Sequence, residues 1–283
     1  MKLCRFNTNR LGVVVDQHVV DVTAILSEIE FPGWPHTPGD PLFTDINRVC
    51  RLATVEMEMA KQLPLSDVTL ECLVTNPSKI IGAPLNYHAH IAEAQADQAL
   101  SLGKSVAKIQ ETGLFLKASS SLVAPSRGMK IRFPERRTDH ELELAVVIGK
   151  QGTNIRKEHA LQHVAGYTVG LDMTVRGSED RSFRKSLDTY TIIGPWLVTA
   201  DEIPDPQKLD MQLTLNGEVK QSGSTANMIL GVADLIEFAS AYYTLYPGDI
   251  LLTGTPAGVG PVQSGDEIEA RISSIGEFRV LVS

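Results

Sequence analysis

The chain has 283 residues, which is enough to bury a sizeable core and predicts one large domain or one domain with a smaller appendage. Its 34 acidic residues outnumber its 26 basic residues, and the formal charge of -8 argues against a general binder of nucleic acid or of anionic membranes. Three scattered cysteines form no zinc-type pair and no apolar run is long enough to span a bilayer, so we expect a cytoplasmic protein that acts on small molecules.

The first 73 residues are predicted to form a small α/β domain. Val13–Val15 and Val19–Val20 flank a polar turn, as in a hairpin of two short strands, and a Pro/Gly-rich loop follows them. Apolar residues at helical spacing then predict an amphipathic helix over Thr44–Gln62. The stretch from Leu63 to Lys79 is typical of an extended connector, and we place the domain boundary inside it, between residues 73 and 74.

Residues 74–283 are predicted to form a larger domain that consists mainly of strands. Its apolar runs are rich in β-type residues, and Asn216-Gly217 is a hairpin turn signal, which favours an antiparallel or mixed sheet over a regular βαβ array. The clearest helices are predicted at Tyr87–Leu102, Lys157–His163 and Met228–Ala241. Together these patterns predict an α+β fold.

Two glutamates interrupt the most apolar segment of the chain, TDHELELAVVIGK. In a strand Glu141 and Glu143 would point to the same face, and the β-branched run after them favours a strand that is buried on both faces. Two buried carboxylates in one space repel each other unless a cation or a proton relieves them. An edge strand with one solvated face explains the segment about equally well.

Asp172 supplies a third carboxylate at the predicted end of the strand VAGYTVGLD. If Asp172 faces the two glutamates, three oxygen ligands converge without a neighbouring sulfur or histidine ligand, and such a site suits Mg²⁺ or Mn²⁺. The alternative is an aspartate that only forms a turn.

His90 and Glu93 lie three residues apart on a predicted helix and therefore share one face. A glutamate that accepts a hydrogen bond from one imidazole nitrogen orients the ring and raises its basicity, so that the other nitrogen can deprotonate water. By spacing alone, a casual pair on a surface helix is the better explanation.

Several segments occur in an order and at separations that resemble the fumarylacetoacetate hydrolase family over residues 76–283, among them GAPLNYHAHIAE, LFLKASSSLVAP, DHELELAVVIGK, GYTVGLDMT and LTGTPAGVG. The resemblance implies a mixed β-roll catalytic domain that binds a 2-oxoacid through Mg²⁺ or Mn²⁺ and cleaves a carbon-carbon bond of a diketo acid. It places the metal ligands on Glu141, Glu143 and Asp172, and the acid-base pair on His90 and Glu93.

The same resemblance places Lys117 beside the metal, where it would stabilise an enolate or a substrate carboxylate. Lys185 matches a second family lysine that organises the carboxylates. From the sequence alone, Lys117 also fits an edge position with its ammonium group in water, and Lys185 an exposed loop. The loop LTGTPAGVG lacks the lysine of a phosphate-binding loop. The predicted substrate-binding residues are Tyr87, Arg176, Glu179, Lys185 and Thr255.

The chain departs from the family pattern after the metal aspartate. Leu171 stands where the family commonly has Asn, and Glu179 stands where it has a substrate-contacting Gln. These changes lie on the side of the pocket that recognises the distal part of the substrate, so the acyl group stays open. The polar segment from Ala94 to Gly113 is predicted to act as a lid that excludes water.

These observations predict a metal-dependent hydrolase that cleaves a 2,4-dioxo acid, an acylpyruvate, into pyruvate and a carboxylic acid. The alternatives are decarboxylation of an oxaloacetate-like acid, isomerisation of a 2-hydroxy-diene diacid, and a homologue without catalytic activity. We expect a homodimer, as is usual for soluble oligomers and for the family.

Overall fold

A computed structural model of the chain describes residues 1–30, 33, 38–97 and 109–283. Within these ranges the main sheet has 12 strands in the order β4-β3-β2-β1-β13-β11-β10-β16-β6-β7, with β5 beside β1 and β8 beside β13. Their bounds are β1 Lys2–Phe6, β2 Arg10–Val15, β3 His18–Asp21, β4 Gln62–Pro64, β5 Leu70–Glu71, β6 Ile80–Gly82, β7 Phe115–Lys117, β8 Leu122–Val123, β10 Leu142–Ile148, β11 Val164–Asp172, β13 Thr191–Thr199 and β16 Ile250–Leu252.

Two smaller sheets complete the strands of the described residues. One has the order β12-β9-β17 and the other the order β15-β14-β18-β19. Their bounds are β9 Thr138–His140, β12 Thr174–Val175, β17 Gly260–Pro261, β14 Asp210–Leu215, β15 Glu218–Ser224, β18 Glu267–Ile272 and β19 Gly276–Leu281. The mixture of antiparallel and parallel pairs with few helices agrees with the predicted α+β fold.

Strand β10 lies in the middle of the main sheet, and all seven of its residues are buried. Leu144 and Val146 pack into the hydrophobic core on one face, whereas Ala145 and Val147 pack into a second core on the other. The β-branched run therefore forms a strand buried on both faces, as predicted, and the edge-strand alternative is wrong.

The α-helices of the described residues are α1 Ile46–Glu56, α2 His88–Ala96, α3 Ile109–Thr112, α4 Arg181–Lys185 and α5 Val232–Tyr242. The helix predicted over Thr44–Gln62 is shorter because Asp45 caps its start and Gln62 pairs with Val20 in the sheet. The segment Lys157–His163 is helical as predicted, but in the 3₁₀ form.

Two further predicted helix bounds change in the structure. The helix predicted from Met228 begins only at Val232, because the Leu230 amide bonds to the side chain of Asn86 and Gly231 caps the helix. The helix predicted to extend to Leu102 ends at Ala96, and its remainder lies outside the described residues apart from Asp97. No described helix has both the length and the apolar character needed to cross a membrane.

The N-terminal strands continue the main sheet. Strand β1 pairs antiparallel with β13 through the partners Lys2 with Val198 and Leu3 with Leu197. Leu3 and Leu197 also belong to the same hydrophobic core as Val147 of β10. The predicted division between residues 73 and 74 stays a prediction, and the pairing of β1 with β13 shows that any such domain would share a sheet with the rest of the chain.

Candidate active site

Three carboxylates, which we call the carboxylate cluster, meet where β10 begins and β11 ends. The Asp172 amide donates a hydrogen bond to the Glu141 carbonyl oxygen at 2.9 Å, and Glu143 lies opposite Gly170 in the register of the two strands. One carboxylate oxygen each from Glu141, Glu143 and Asp172 lies within 4.8 Å of the others, and all three residues are buried. The structure therefore brings together the three acidic residues that the sequence singles out.

Two lysines neutralise part of the charge of the carboxylate cluster. Lys185 Nζ donates to Glu141 Oε2 and to Asp172 Oδ2, both at 2.7 Å. Lys117 Nζ forms a buried ion pair with Asp172 and donates to the Tyr190 carbonyl oxygen at 2.8 Å. Lys117 is 3% exposed and Lys185 is 4% exposed, so the solvent-exposed alternatives for both lysines are wrong.

Arg176 supplies a third cation. Its Nη2 donates to Glu141 Oε1 at 2.9 Å, and its Nε donates to Asp139 Oδ2 at 2.6 Å. Arg137 Nε contacts the other oxygen of Asp139 at 2.7 Å, which holds that buried carboxylate in place. Asp139 was not predicted as a site residue, although its position two residues before Glu141 was a usable signal.

The positive charges around the cluster do not affect its three carboxylates equally. Although burial alone would raise the pKa of Glu141, the charges of Lys185 and Arg176 hold it below its ordinary value.

Glu143 behaves in the opposite way. Burial and repulsion by Asp172 raise the pKa of Glu143 well above its ordinary value. Its Oε2 accepts a hydrogen bond from the Gly254 amide at 2.6 Å, and no lysine or arginine of the described ranges forms an ion pair with it. Three convergent hard oxygen donors, one of which lacks a cation, fit Mg²⁺ or Mn²⁺ well. A divalent ion would supply the positive charge that the neighbouring lysines and arginines do not bring to Glu143.

The His90–Glu93 pair, which we call the dyad, lies on α2. His90 Nδ1 is 2.8 Å from Glu93 Oε2, and His90 is 6% exposed. His88 is exposed, and His90 is the histidine that contacts Glu93, as the helical register predicts. Because an ionised carboxylate only accepts hydrogen bonds, Nδ1 carries the proton and Nε2 of the neutral ring is an acceptor. The alternative of a casual surface pair is wrong, since the imidazole is buried.

The loop after β16 connects the dyad to the carboxylate cluster. The Gly254 amide donates to Glu143, and the Gly258 amide donates to Glu93 Oε1 at 2.8 Å. Gly258 has a φ of 99°, and a Cβ atom there would lie 2.0 Å from the Lys220 carbonyl oxygen. Only glycine fits this position, and the loop thereby holds one glutamate from each half of the site.

Gln221 of β15 supports the same loop from a different sheet. Its Oε1 accepts from the Leu142 amide at 2.9 Å, and its Nε2 donates to Thr255 Oγ1 at 2.8 Å and to the Pro256 carbonyl oxygen at 2.9 Å. His140 Nδ1 also contacts Oε1, at 3.2 Å. His140 Nε2 is the buried side-chain polar atom without a partner in the described part of the chain, and burial lowers the pKa of His140.

Gln221 and His140 were not predicted. His140 precedes Glu141 and could have been found by its position in the sequence. Gln221 has no site residue near it in the sequence, because it lies on a strand of a separate sheet and contacts the main sheet only in the folded chain.

The remaining predicted substrate-binding residues vary in their surroundings. Thr255 is buried beside Gln221, and Lys185 and Arg176 contact the carboxylate cluster. The buried Tyr87 hydroxyl donates toward Met211 Sδ at 3.4 Å. Their substrate contacts stay predictions.

The two departures from the family pattern also have clear structural places. Glu179 forms an ion pair with Arg136, with both carboxylate oxygens at 2.8 to 2.9 Å from the guanidinium nitrogens, and its side chain is 38% exposed. Leu171 is buried in the hydrophobic core and pairs with Leu142 of β10. A contact between Glu179 and the substrate stays a prediction.

The predicted lid, from Ala94 to Gly113, lies largely outside the described residues, which omit 98–108. Its described end includes α3, where Ile109 is buried in the hydrophobic core.

A family model described as fumarylacetoacetate (FAA) hydrolase C-terminal matches residues 79–283. Maleylpyruvate hydrolase from Aquipseudomonas alcaligenes is 49% identical over 284 residues, which cover 100% of this chain and 99% of that protein. Human mitochondrial oxaloacetate tautomerase is 38% identical over 241 residues, which cover 80% of this chain and 74% of that protein.

A solved structure extends the similarity to the fold. The crystal structure of a maleylpyruvate hydrolase from a Sphingobium species, in complex with manganese (II) and pyruvate, superposes with a TM-score of 0.84 at 38% sequence identity. The match covers 100% of this chain and 98% of that one.

Proposed function

We propose that this chain, which belongs to the fumarylacetoacetate hydrolase family, is a metal-dependent hydrolase that cleaves the carbon-carbon bond of an acylpyruvate. The products would be pyruvate and a carboxylic acid. The observation that carries the proposal is the loop that holds Glu143 of the carboxylate cluster and Glu93 of the dyad through its Gly254 and Gly258 amides. Metal chemistry and proton transfer are thereby available at one site.

The carboxylate cluster would hold Mg²⁺ or Mn²⁺. A bound ion would polarise the 2-oxo group of the substrate and favour charge development on its oxygen. The residues around the cluster keep the ligands in place, because Lys185 bridges Glu141 and Asp172 and the Gly254 amide orients Glu143. The similarity to a structure with manganese (II) and pyruvate supports this arrangement.

The dyad would generate the nucleophile. Glu93 fixes the imidazole with its proton on Nδ1, so Nε2 of His90 can take a proton from water. The resulting hydroxide adds to the distal carbonyl carbon, and the bond between this carbon and the pyruvate methylene breaks. The electron pair stays on the pyruvate fragment as an enolate, and His90 returns a proton to give pyruvate.

Lys117 and Thr255 would complete the pyruvate end of the site. The Lys117 ammonium group lies against Asp172, where its charge stabilises a developing enolate. Thr255 Oγ1 accepts a hydrogen bond from Gln221, which leaves its own proton available for the substrate carboxylate.

Keto-enol conversion of oxaloacetate is the second candidate, and the similarity to oxaloacetate tautomerase favours it. Both reactions use an enolate, so the fold and the metal site do not separate them. The metal-loaded protein should be assayed with maleylpyruvate, other acylpyruvates and oxaloacetate. We expect stoichiometric pyruvate release from an acylpyruvate. Conversion of oxaloacetate without cleavage of any acylpyruvate would overturn hydrolysis.

We further propose that the chain acts in the cytoplasm as a homodimer on a small 2-oxoacid, without a nucleic acid or membrane partner. The acidic composition and the three free cysteines support this setting. Sedimentation at micromolar concentration should give the mass of two chains, and a single 30.8 kDa species would contradict the dimer.

A further inference from the structure

Arg181 begins α4, the short helix that also carries Lys185. Its guanidinium carbon is 5.9 Å from the centroid of the Phe115 ring. Lys185, one turn later on α4, places its ammonium nitrogen 5.4 Å from the same ring centroid and contacts Glu141 and Asp172. The Arg181 guanidinium group and the Lys185 ammonium group therefore lie near the same aromatic ring, and Lys185 also contacts the carboxylate cluster.

The Arg181 guanidinium group has no hydrogen-bond acceptor among the residues that the structure describes. In the ranges 1–30, 33, 38–97 and 109–283 it donates no hydrogen bond and forms no ion pair, and its contact is the Phe115 ring. The two acidic residues that precede it on the chain are engaged elsewhere, since Glu179 pairs with Arg136 and Asp180 accepts from the Ser182 amide. Five N–H donors are thus left without a partner in the described part of the chain.

The neighbouring arginines differ from Arg181 in this respect. Arg176 pairs with Glu141 and Asp139, and Arg184 donates to the carbonyl oxygens of Glu179 and Val175 at 2.9 and 3.3 Å. Burial lowers the pKa of Arg181 despite the attraction of Glu141. A partly desolvated cation without an acceptor is costly unless an anion binds to it.

We propose that Arg181 binds a second carboxylate, at the far end of the acyl group of the substrate, and so selects dicarboxylic acylpyruvates. This inference rests on the proposed function. One end of the substrate, its 2-oxo acid group, lies at the carboxylate cluster. The other end reaches Arg181 past the Phe115 ring. The planar guanidinium fork matches a carboxylate with two parallel hydrogen bonds, which a lysine does not reproduce.

The experiment compares maleylpyruvate with cis-but-2-enoylpyruvate, in which a methyl group replaces the distal carboxylate. Arg181→Leu should lower the ratio of kcat/KM for maleylpyruvate over its methyl analogue by at least about tenfold, mainly through KM, because one charged hydrogen-bonded contact is lost. Arg184→Leu is the matched control on the same helix. Its arginine binds backbone carbonyls, so the ratio should stay within about twofold of the wild-type value.

The outcomes separate the two proposals. If the wild type prefers the methyl analogue, or if Arg181→Leu leaves the ratio unchanged, the role of Arg181 is wrong while hydrolysis stands. If the wild type cleaves another acylpyruvate but neither of these two, the inference falls while hydrolysis stands, and if it cleaves no acylpyruvate, the proposed function and the inference fall together. Arg181→Lys serves where the leucine variant does not fold. It should still lower the ratio, since lysine cannot form the paired contact, and an unchanged ratio there also overturns the assignment.

Discussion

The two halves of the candidate active site are assembled in different ways. The carboxylate cluster depends on the register of β10 against β11 and on cations that come from β7 and α4. The dyad depends on a spacing of three residues within α2 and on one amide of the loop after β16. The cluster is thus a product of tertiary structure, whereas the dyad is mainly a product of local structure.

The two halves also differ in their proposed roles, since the cluster would bind the metal and the dyad would transfer the proton. In the cluster, Lys117, Lys185 and Arg176 form ion pairs with Glu141 and Asp172. Glu143 has no ion-pair partner among the described residues, and a bound metal would supply the positive charge. In the dyad, Glu93 holds Nδ1 of His90, which leaves Nε2 for the proposed proton transfer. Substitutions in one half should therefore change observables that substitutions in the other half leave alone.

The largest expected effect follows substitution of a cluster carboxylate. Glu143→Gln or Asp172→Asn removes one hard ligand, so Mn²⁺ affinity should collapse and hydrolysis should fall by more than about 10³, because the metal contributes several kcal/mol of charge stabilisation. Calorimetric titration with Mn²⁺ and a pyruvate-release assay measure the two effects.

Asp188→Asn is the control for these variants. Asp188 pairs with Arg132 at the surface, so Mn²⁺ affinity should be unchanged. Full activity of Glu143→Gln, or of the wild type after treatment with EDTA, would contradict a metal role for the cluster.

A smaller loss should follow Lys117→Met. The ammonium group that would face the developing enolate is removed, and we expect kcat to fall by about 10² to 10³, the range for loss of one oriented donor. Because Asp172 then loses a buried ion-pair partner, Mn²⁺ binding should persist or strengthen. A variant with wild-type kcat would show that Lys117 only neutralises Asp172.

The smallest effect concerns stability against pH in the metal-free protein. The pKa of Glu143 is raised in the folded state, so its contribution to stability is complete below its ordinary pKa and is lost as the pH rises through the raised value. Metal-free Glu143→Gln should escape this loss and exceed the metal-free wild type by about 1–3 kcal/mol at neutral pH. Thermal unfolding from about pH 5 to pH 8 measures the effect. A wild type whose stability rises with pH relative to the variant would contradict it.

Much of this site follows from the sequence, for identifiable reasons. Alternation along a strand predicts that Glu141 and Glu143 share a face, and helical spacing pairs His90 with Glu93. The end of an apolar strand suggests Asp172 as the third carboxylate, and the resemblance to a family adds Lys117 and Lys185, which approach from distant parts of the chain. The alternatives at these residues failed once burial was known, and burial is a property of the whole fold.

Other features could not be predicted from local patterns. Gln221 reaches Leu142 and Thr255 from a separate sheet, and no spacing rule connects these residues. Arg181 differs from Arg184 only in what lies around it. In the fold, the helix predicted to Gln62 was too long, because pairing of that residue with Val20 outweighs local helical periodicity.

The most direct test of the division between the two halves is the His90→Ala variant, assayed for acylpyruvate hydrolysis and for Mn²⁺ affinity in the same preparation. We expect hydrolysis to fall by about 10² to 10⁴, the usual contribution of general acid-base catalysis, while Mn²⁺ affinity and inhibition by oxalate, a mimic of the pyruvate enolate, match the wild type. Wild-type hydrolysis by His90→Ala, or a parallel loss of Mn²⁺ binding, would contradict this division.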